Sequence, residues 1–571
     1  MATSKSQKKI IWDIIWAVLF ACGTVFILWK CRYGFGNMDE AFYLTIPYRL
    51  SQGDGLFVHE WHLSQMSGFL ILPLMKLYMA IAGTTEGIIL AFRYIYTVIQ
   101  ALAALFIYFR LRKTHQQGAA LASIAFLLYA PFGIMALSYN SLGIICLAGC
   151  LVIMVTSERL IRLQQAAAGM LFACAVLCCP YLILIFAVYF ITVLICTICK
   201  RAKGIFSFKS WLFFTVGAAV VAAVFAAFVL SRGSISQIFA AFPSIMNDPD
   251  HQPQNVFRLV VTYFTSILYV NKKADIGYAG LFVCAVIALA DRKRANRRAI
   301  YFTAAALLTL FTITCLVYYG RYLNYVMFPV NIMAVVCFII NKDETTEKLL
   351  CGMWIPGMLY SMCLHASSNQ EFYAISSAST VALIAGLMIV TLTADRIYRE
   401  QTGAAAAISV IMMILIAVCQ LGSEAYLRYN AVFWSNMNEL MTTPQSDGVE
   451  KGLYLSEAAD RQYRMTLEIA THIKDNYASA ESVAFIANET WLYLLCSDKR
   501  MASYSAWLAL ITGEISQSYM TKQMKYYELN PDKIPDIVYL SPDNLHYSGQ
   551  YKAIADYEED ELSTGGILLV K

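Results

Sequence analysis

Charged residues are scarce in this chain. They make up 14% of its 571 residues, whereas 59% of the residues are hydrophobic and the mean hydropathy is +0.57. Soluble globular domains contain roughly 25% charged residues. The deficit excludes an ordinary soluble protein and predicts a polytopic α-helical membrane protein. The distribution of positive charge argues against a nucleic-acid partner, because the basic residues lie in short segments between apolar runs and form no single patch.

Cysteine is nearly absent from the C-terminal part of the chain. Cys496 is the single cysteine after residue 423, so no disulfide can form within that part. The other fifteen cysteines lie almost all in apolar runs, where a thiol behaves as a small hydrophobic group. The pair Cys196 and Cys199 ends one such run, and no second pair completes a zinc site.

Long apolar runs predict about 13 transmembrane helices (11–13). The runs lie at 10–29, 88–109, 118–137, 140–156, 166–179, 181–199, 209–231, 277–291, 299–318, 324–340, 348–365, 372–393 and 405–423. Their connecting segments alternate in charge, and the basic ones share a side with the basic N-terminus, which the positive-inside rule makes cytoplasmic. We therefore expect a multi-pass protein of the plasma membrane, with the long loops 30–87 and 232–276 and the C-terminal part on the extracytoplasmic face.

The charge balance divides the chain in two. From Glu424 to the end there are 12 basic and 21 acidic residues, whereas the first 423 residues carry a net charge of +14. We predict a transmembrane body at 1–423 and a small extracytoplasmic α/β domain at 424–571. A helical apolar stripe between 457 and 478 predicts a helix in that domain. Short apolar runs predict three buried strands, at 483–487, 536–540 and 566–570.

Two apolar runs in the outer loops are too short to cross a membrane. Residues 69–82 form a run of about 14 residues, whereas a spanning helix needs about 20. Residues 259–270 are similar. Both predict helices that lie in the membrane interface.

Asp39 and Glu40 follow the first predicted span by about ten residues. In a structural interpretation they are loop charges, or they cap a helix that begins at Ala41, since Asp caps helices well and Glu suits the first turn. In a functional interpretation one of them is a general base, whose pKa an apolar environment raises toward neutral pH. The sequence leaves both interpretations open and does not decide which carboxylate would be the base.

The first outer loop also contains His59, Glu60 and His62. Two imidazoles and a carboxylate suffice to bind a divalent metal ion. Their spacing matches no fixed zinc motif, so they could equally contact an acidic phosphate or lie at the interface. A divalent metal therefore remains an open possibility as a cofactor.

The second outer loop contains Asp248, Asp250 and His251 around a proline. The structural interpretation is a plain turn, because Asp-Pro commonly starts one. The functional interpretation is that these side chains contact an acceptor or a metal ion.

Two arginines lie in or beside apolar runs. Arg93 is a few residues into the second span, and Arg321 lies near the outer end of a later one. A charge inside apolar sequence is costly and marks a functional site by default, although an arginine can also extend its head to the lipid headgroups. A guanidinium at this depth suits a lipid-linked phosphate, which it can bind with two hydrogen bonds.

The order of these features resembles the GT-C superfamily of membrane glycosyltransferases. The Asp39-Glu40 pair outside the first span, the long loop with an interfacial helix, and the span that opens with Arg93 are its first elements. They are similar to those of protein mannosyltransferases, aminoarabinose transferases and their bacterial relatives. The resemblance covers most of the chain in topology, including the outer C-terminal domain.

A second match to the same branch lies later in the chain. Arg321 and Tyr322, followed by an apolar run with Pro329, resemble the Arg-Tyr…Pro segment near the late spans of that branch. The sequence departs from the pattern at 59–62, where many bacterial relatives carry a His-Pro-Pro element and this chain reads His-Glu-Trp-His. That departure leaves the acceptor and any metal dependence open.

The resemblance implies a glycosyltransferase that inverts the anomeric carbon of a sugar carried on a polyprenyl monophosphate. Asp39 would accept the proton of an acceptor hydroxyl, and Glu40 would orient the acceptor or position the site. Arg93, or Arg321 with Tyr322, would bind the donor phosphate and stabilise the leaving group. The acceptor would be a glycan, a lipid or a protein of a bacterial cell envelope.

Two other functions remain as alternatives. A surface-polysaccharide polymerase or ligase would use a diphosphate-linked donor and would need arginines and histidines of the outer loops rather than Asp39. A transporter would carry paired charges or broken helices near the middle of the membrane, whereas the charges here lie at one face.

Overall fold

A computed structural model describes most of the chain. The described residues are 2–157, 161–247, 255–270, 282–284, 286–287, 289–291, 299–300, 302–307, 309–310, 327–368, 371–400, 403–430, 436–508 and 514–571. They form a helical body followed by a small α/β domain, which confirms the predicted polytopic helical class. Eight helices among them are long and apolar enough to cross a membrane: Lys9–Lys30, Ile88–Leu111, Tyr139–Thr156, Pro180–Ile198, Phe208–Leu230, Glu344–Ala366, Thr380–Glu400 and Ala404–Asn430.

The body is built from helices throughout its described part. The helices are α1 (Ala2–Lys30), α2 (Asn37–Ser51), α3 (Ser67–Ala82), α4 (Ile88–Leu111), α5 (Gln116–Leu128), α6 (Tyr139–Thr156), α7 (Ile161–Cys178), α8 (Ile183–Ile198), α9 (Phe208–Leu230), α10 (Ile235–Met246), α11 (Val256–Val270), α12 (Met327–Ile340), α13 (Glu344–Leu349), α14 (Ile355–Ala366), α15 (Glu371–Ala378), α16 (Thr380–Glu400) and α17 (Ala404–Asn430). A π-helical turn at Leu350–Trp354 joins α13 to α14. The helices predicted at 69–82 and 259–270 correspond to α3 and α11.

The run predicted as one span at 118–137 is interrupted. Helix α5 ends at Leu128, and a short 3-10 turn at Pro131–Gly133 follows it. Pro131 has no backbone N–H and disfavours the helical conformation in the residue before it. Phe132 takes a positive φ of 54°, which no regular helix contains. Residues 129–138 are therefore an irregular segment between α5 and α6.

Other predicted spans have mixed outcomes. The break expected at Pro180 is present, because α7 ends at Cys178 and a 3-10 turn opens at the proline. The spans predicted at 277–291 and 299–318 lie largely outside the described residues. The total number of spans therefore stays a prediction.

Helices α7 and α9 cross at close range because each offers a glycine. A Cβ atom on Gly169 would lie 1.9 Å from the carbonyl oxygen of Phe214, and one on Gly217 would lie 1.9 Å from that of Ala166. Backbone atoms cannot move aside without separating the helices. These two glycines therefore set the distance between α7 and α9.

The C-terminal domain holds a five-stranded sheet. Its strands are β1 (Ser482–Ile486), β2 (Arg500–Met501), β3 (Ile537–Leu540), β4 (Glu558–Glu561) and β5 (Ile567–Val570), in the order β2-β1-β3-β5-β4. Strand β1 pairs in parallel with β2 and β3, whereas β5 pairs antiparallel with β3 and β4. The helices are α18 (Glu457–Asn476), α19 (Leu492–Leu495), α20 (Gln517–Leu529) and α21 (Ser548–Lys552). The three predicted strands and the predicted helix are confirmed.

Backbone hydrogen bonds join this domain to the loop after α1. The N–H of Tyr454 donates to the carbonyl of Arg32 at 2.8 Å, and the N–H of Gly34 donates to the carbonyl of Tyr454 at 2.9 Å. Helix α17 continues through residues 424–430, beyond the predicted domain boundary at 423. The loop 30–87 is therefore held between the helical body and the C-terminal domain.

Candidate functional site

Asp39 and Glu40 lie in the first turn of α2, which begins at Asn37 rather than at the predicted Ala41. The first turn of a helix favours acidic side chains, because its unpaired N–H groups carry partial positive charge. No side chain caps this helix end. The local sequence thus accounts for an acidic pair here, but the two carboxylates have different surroundings.

Glu40 forms a buried ion pair with Arg93 of α4. The Arg93 Nε and Nη2 atoms lie 2.5 and 2.7 Å from the two carboxylate oxygens. The remaining N–H groups of Arg93 donate to the backbone carbonyls of Cys31, Tyr33 and Gly34 at 2.7, 3.4 and 2.9 Å. Both side chains are almost completely buried. Each of the five guanidinium N–H groups therefore has an acceptor within the protein.

This geometry makes Arg93 a clamp between the end of α1 and the start of α2. Glu40 also accepts a hydrogen bond from the N–H of Gly36, at 3.0 Å, so the same carboxylate ties down the turn before the helix. A phosphate could reach the guanidinium only by displacing one of these acceptors. The phosphate-binding role predicted for Arg93 stays a prediction, and the contacts favour a positioning role.

Asp39 contrasts with its neighbour. The carboxylate is half-buried and has neither a hydrogen bond nor an ion pair among the described residues. Burial, with a smaller contribution from the charge of Glu40, raises the pKa of Asp39 from 3.8 to about 6. The Tyr43 and Tyr139 side chains lie within electrostatic reach of it, and their rings meet edge to face at 5.7 Å. An unpaired carboxylate with this pKa can accept a proton near neutral pH.

Aromatic side chains connect this helix end with the C-terminal domain. Phe42 packs edge to face against the His62 ring at 4.5 Å and against Trp507 of the domain at 5.6 Å. The irregular segment 129–138 packs nearby, because Ile134 and Ala136 share a buried cluster with Phe42. The site is therefore surrounded by α2, the outer loop, the segment before α6 and the C-terminal domain.

The side chains at 59–62 have structural contacts. The Nδ1 atom of His59 accepts a hydrogen bond from the N–H of Gly55 at 2.9 Å, and burial lowers the pKa of His59 to about 4. Glu60 is fully buried and pairs with Arg49 Nη1 at 2.8 Å. The Nδ1 atom of His62 contacts the hydroxyl of Ser64 at 2.8 Å. His59, Glu60 and His62, which were predicted as metal ligands, thus stabilise the conformation of the loop.

An ion-pair network extends from Arg49 to the C-terminal domain. Arg49 binds Asp54 as well as Glu60, and Lys533 binds the other oxygen of Asp54 at 2.5 Å. Burial raises the pKa of Asp54, but Arg49 and Lys533 outweigh it and hold that pKa below its ordinary value. For Glu60, burial outweighs Arg49 and raises the pKa. The network fixes the domain against the outer loop.

The remaining predicted residues lie outside the described part of the chain. They are Asp248, Asp250, His251, Arg321 and Tyr322. Among the described residues, no three His, Cys, Asp or Glu side chains converge well enough to hold a metal ion. His59, Glu60 and His62 therefore do not fit the metal site that their sequence permits.

Several buried polar side chains lie outside the set of candidate site residues predicted from the sequence. Arg49 and Asp54 flank the end of α2. Their spacing of five residues across a helix end is a weak sequence signal for the ion pair that they form. Glu450 is buried, neither of its carboxylate oxygens has a hydrogen bond from a described residue, and burial raises its pKa. Glu424 and Arg428 lie four residues apart on α17, a spacing that places two side chains on one helix face.

Comparison with known proteins yields only distant likenesses. No known protein family matches the chain, and no curated protein matches it. The Archaeoglobus fulgidus oligosaccharyltransferase in its apo form aligns with a TM-score of 0.48 and 12% identity, over 96% of this chain and 71% of that one. The same protein in complex with zinc and sulfate gives 0.47 and 13%, over 97% and 73%. ArnT from Cupriavidus metallidurans bound to undecaprenyl phosphate gives 0.40 and 14%, over 98% and 97%.

Proposed function

We propose that this protein transfers a sugar from a polyprenyl-monophosphate donor to a hydroxyl-bearing acceptor outside the membrane. The acceptor oxygen attacks the anomeric carbon while the bond from that carbon to the phosphate oxygen breaks. The configuration inverts, the acceptor proton passes to Asp39, and the electron pair leaves with the polyprenyl phosphate. The reaction is balanced with no further reactant.

The proposal rests on the different contacts of Asp39 and Glu40. Glu40 pairs with Arg93 and accepts a hydrogen bond from the backbone, whereas Asp39 is half-buried and unpaired in the described part of the chain. The raised pKa of Asp39 is what a general base needs, because proton transfer is most efficient when the pKa lies near the working pH. Asp39 is therefore assigned as the base and Glu40 as a positioning residue.

The other assignments follow from the resemblance and from the geometry together. Arg93 holds Glu40 and the chain before α2, so it positions the base without contacting the donor. The donor phosphate is assigned to Arg321 and Tyr322, on the resemblance alone. The C-terminal domain borders the site through Trp507 and would shape the access of the acceptor.

The proposal is tested by measuring transfer of labelled sugar from short-chain polyprenyl-phosphate donors to envelope material, with purified protein in liposomes. Loss of a general base typically costs a factor of 10²–10⁴, so Asp39→Asn should reduce the transfer rate by about that much. The native rate should rise with pH through about 6, as Asp39 ionises. Glu86→Gln is the matched control, because Glu86 is an exposed carboxylate whose one ion pair in the described part of the chain is with Lys451.

The outcomes separate the alternatives. Transfer that survives Asp39→Asn at the native rate would remove Asp39 as the base. Transfer that occurs only from diphosphate-linked donors would favour the polymerase or ligase. Uptake of solute into sealed liposomes with no transfer would favour the transporter.

A further inference from the structure

A segment of the C-terminal domain, residues 445–454, lies against the start of α4. The carbonyls of Gly448 and Val449 accept hydrogen bonds from the N–H groups of Gly87 and Ile89, at 2.9 and 3.4 Å. The first N–H groups of a helix have no partner within it, so acceptors from elsewhere stabilise this end. Val449 also belongs to the buried cluster that contains Ile89. These contacts dock the domain on α4, and residues 445–454 are called the docking segment below.

Glu450 is the next residue of the docking segment, and its side chain is 1% exposed. Neither carboxylate oxygen has a hydrogen-bond partner in the part of the chain that the structure describes. The backbone of Glu450 is fixed, because its N–H donates to the Tyr463 hydroxyl at 3.2 Å and its carbonyl accepts from the N–H of Leu453 at 3.0 Å. The docked backbone therefore keeps the carboxyl group inside the protein, where no described donor reaches its oxygens.

The surroundings of Glu450 oppose its ionisation. Three helices bring ionisable side chains within electrostatic reach of its carboxyl group: Glu40 of α2, Arg93 of α4, and Asp460 and Tyr463 of α18. Arg93 is the cation among them, and it is already paired with Glu40. Burial, with a smaller contribution from the negative charges of Glu40 and Asp460, raises the pKa of Glu450 well above 4.5. The docked position thus favours the protonated form of this side chain.

We propose that Glu450 is a proton-controlled latch between the C-terminal domain and α4. While its carboxyl group keeps the proton, the docking segment stays on the helix. Loss of the proton to solvent leaves an unpaired charge in a buried position, which is strongly unfavourable, and the charge regains water when the segment leaves α4. The stabilisation by this proton is complete below the ordinary carboxyl pKa and is lost as the pH rises through the raised pKa of Glu450.

The latch acts on the candidate site through α4. Arg93 lies one helical turn after Ile89, and it binds Glu40 and the chain before α2. Release of the first N–H groups of α4 would loosen this arginine and, through it, the start of α2. The inference does not rest on the proposed sugar transfer, because the docking contacts define the latch and its test needs no substrate. Failure of either proposal can therefore be recognised separately.

Hydrogen exchange, measured by mass spectrometry on the purified full-length protein in detergent, tests the latch. Peptides that cover 86–92 and 445–454 report the two sides of the contact. Glu450→Gln keeps the shape of the side chain but cannot ionise, so it mimics the protonated carboxyl group. We expect the native protein and the variant to exchange equally at pH 5.5. At pH 8.5 both peptides should exchange about fivefold faster, or more, in the native protein than in the variant.

The controls separate release of the docking segment from other effects. Comparison of the two proteins at one pH cancels the pH dependence of the chemical exchange step. Glu468→Gln is the matched variant, because Glu468 is an exposed carboxylate of α18, and it should exchange as the native protein does at both pH values. Peptides from β1 and β3 should stay protected at pH 8.5, since the domain itself remains folded when the segment leaves α4.

Several results would overturn the latch. Equal exchange of the native protein and Glu450→Gln at pH 8.5 would mean that ionisation does not release the segment. Faster exchange in Glu450→Gln at both pH values would mean that an ionised carboxylate stabilises the docked state. If that variant does not fold, the native protein alone decides: protection of 86–92 and 445–454 should fall between pH 5.5 and 8.5 relative to β1 and β3, and an unchanged ratio would contradict the proposal.

Discussion

Replacing Asp39 by asparagine should stabilise the protein at neutral pH while it removes activity. Burial and Glu40 raise the pKa of Asp39 from 3.8 to about 6. Between these values the folded state keeps a proton that the unfolded chain has released. The extra proton adds its full contribution to the free energy of unfolding below pH 4, and that contribution is lost as the pH rises through 6. At about 1.4 kcal/mol per pH unit, the ionised carboxylate costs at most about 3 kcal/mol.

Asparagine carries no charge at any pH and therefore avoids this cost. The variant should exceed the native protein in stability by about 1 kcal/mol at pH 4.5 and by at most about 3 kcal/mol at pH 7.5. Thermal unfolding of both proteins in detergent at pH 4.5, 6.0 and 7.5 measures the trend as a difference in Tm. Glu86→Gln, at an exposed carboxylate, should show a small difference that does not vary with pH.

The reasoning would be refuted by a Tm difference that is constant across this range, or by one that shrinks as the pH rises. Either result would mean that the carboxylate ionises in the folded state as it does in the unfolded chain. The base assignment would then lose its physical support, even if the transfer rate fell in the variant.

Three other changes test the framework of the site. Glu40→Gln leaves the Arg93 charge buried and should cost about 3–5 kcal/mol of unfolding free energy; adding Arg93→Gln should recover part of the loss, and a single variant as stable as the native protein would contradict this. Asp54→Asn should loosen the C-terminal domain, so limited proteolysis should cleave it faster than in the native protein, at low and high salt alike. Gly169→Ala should lower the Tm by forcing α7 from α9, whereas Gly422→Ala, with open space around the added methyl group, should leave the Tm nearly unchanged.

Much of the architecture could be predicted because it depends on local patterns. Apolar runs about 20 residues long identify spanning helices, and Pro180 identifies the break between α7 and α8. The buried strands β1, β3 and β5 are continuous apolar runs. Strand β4 reads Glu-Glu-Asp-Glu and owes its conformation to pairing with β5 rather than to its own composition.

The difference in contacts between the two adjacent acidic residues could not be predicted. Consecutive residues of a helix point about 100° apart, so Asp39 and Glu40 meet different surroundings. Arg93, which pairs with Glu40 and not with Asp39, is 53 residues beyond Glu40 in the chain. The sequence suggested that the histidines of the same loop bind a metal ion, because it gives their residue type but not the contacts they make.

The sequence by itself determined that the chain is a helical membrane protein with an acidic α/β domain, because hydropathy and charge act through composition. It also determined that Asp39, Glu40, Asp54, His59, Glu60 and His62 lie in one loop. Only the tertiary structure decided which of these groups pair with another side chain. Glu40, Glu60 and Asp54 are each held by a cation that packing brings from another element, whereas Asp39 and Arg428 keep polar atoms unpaired among the described residues. Long-range packing sets these pairings, and no local pattern encodes them.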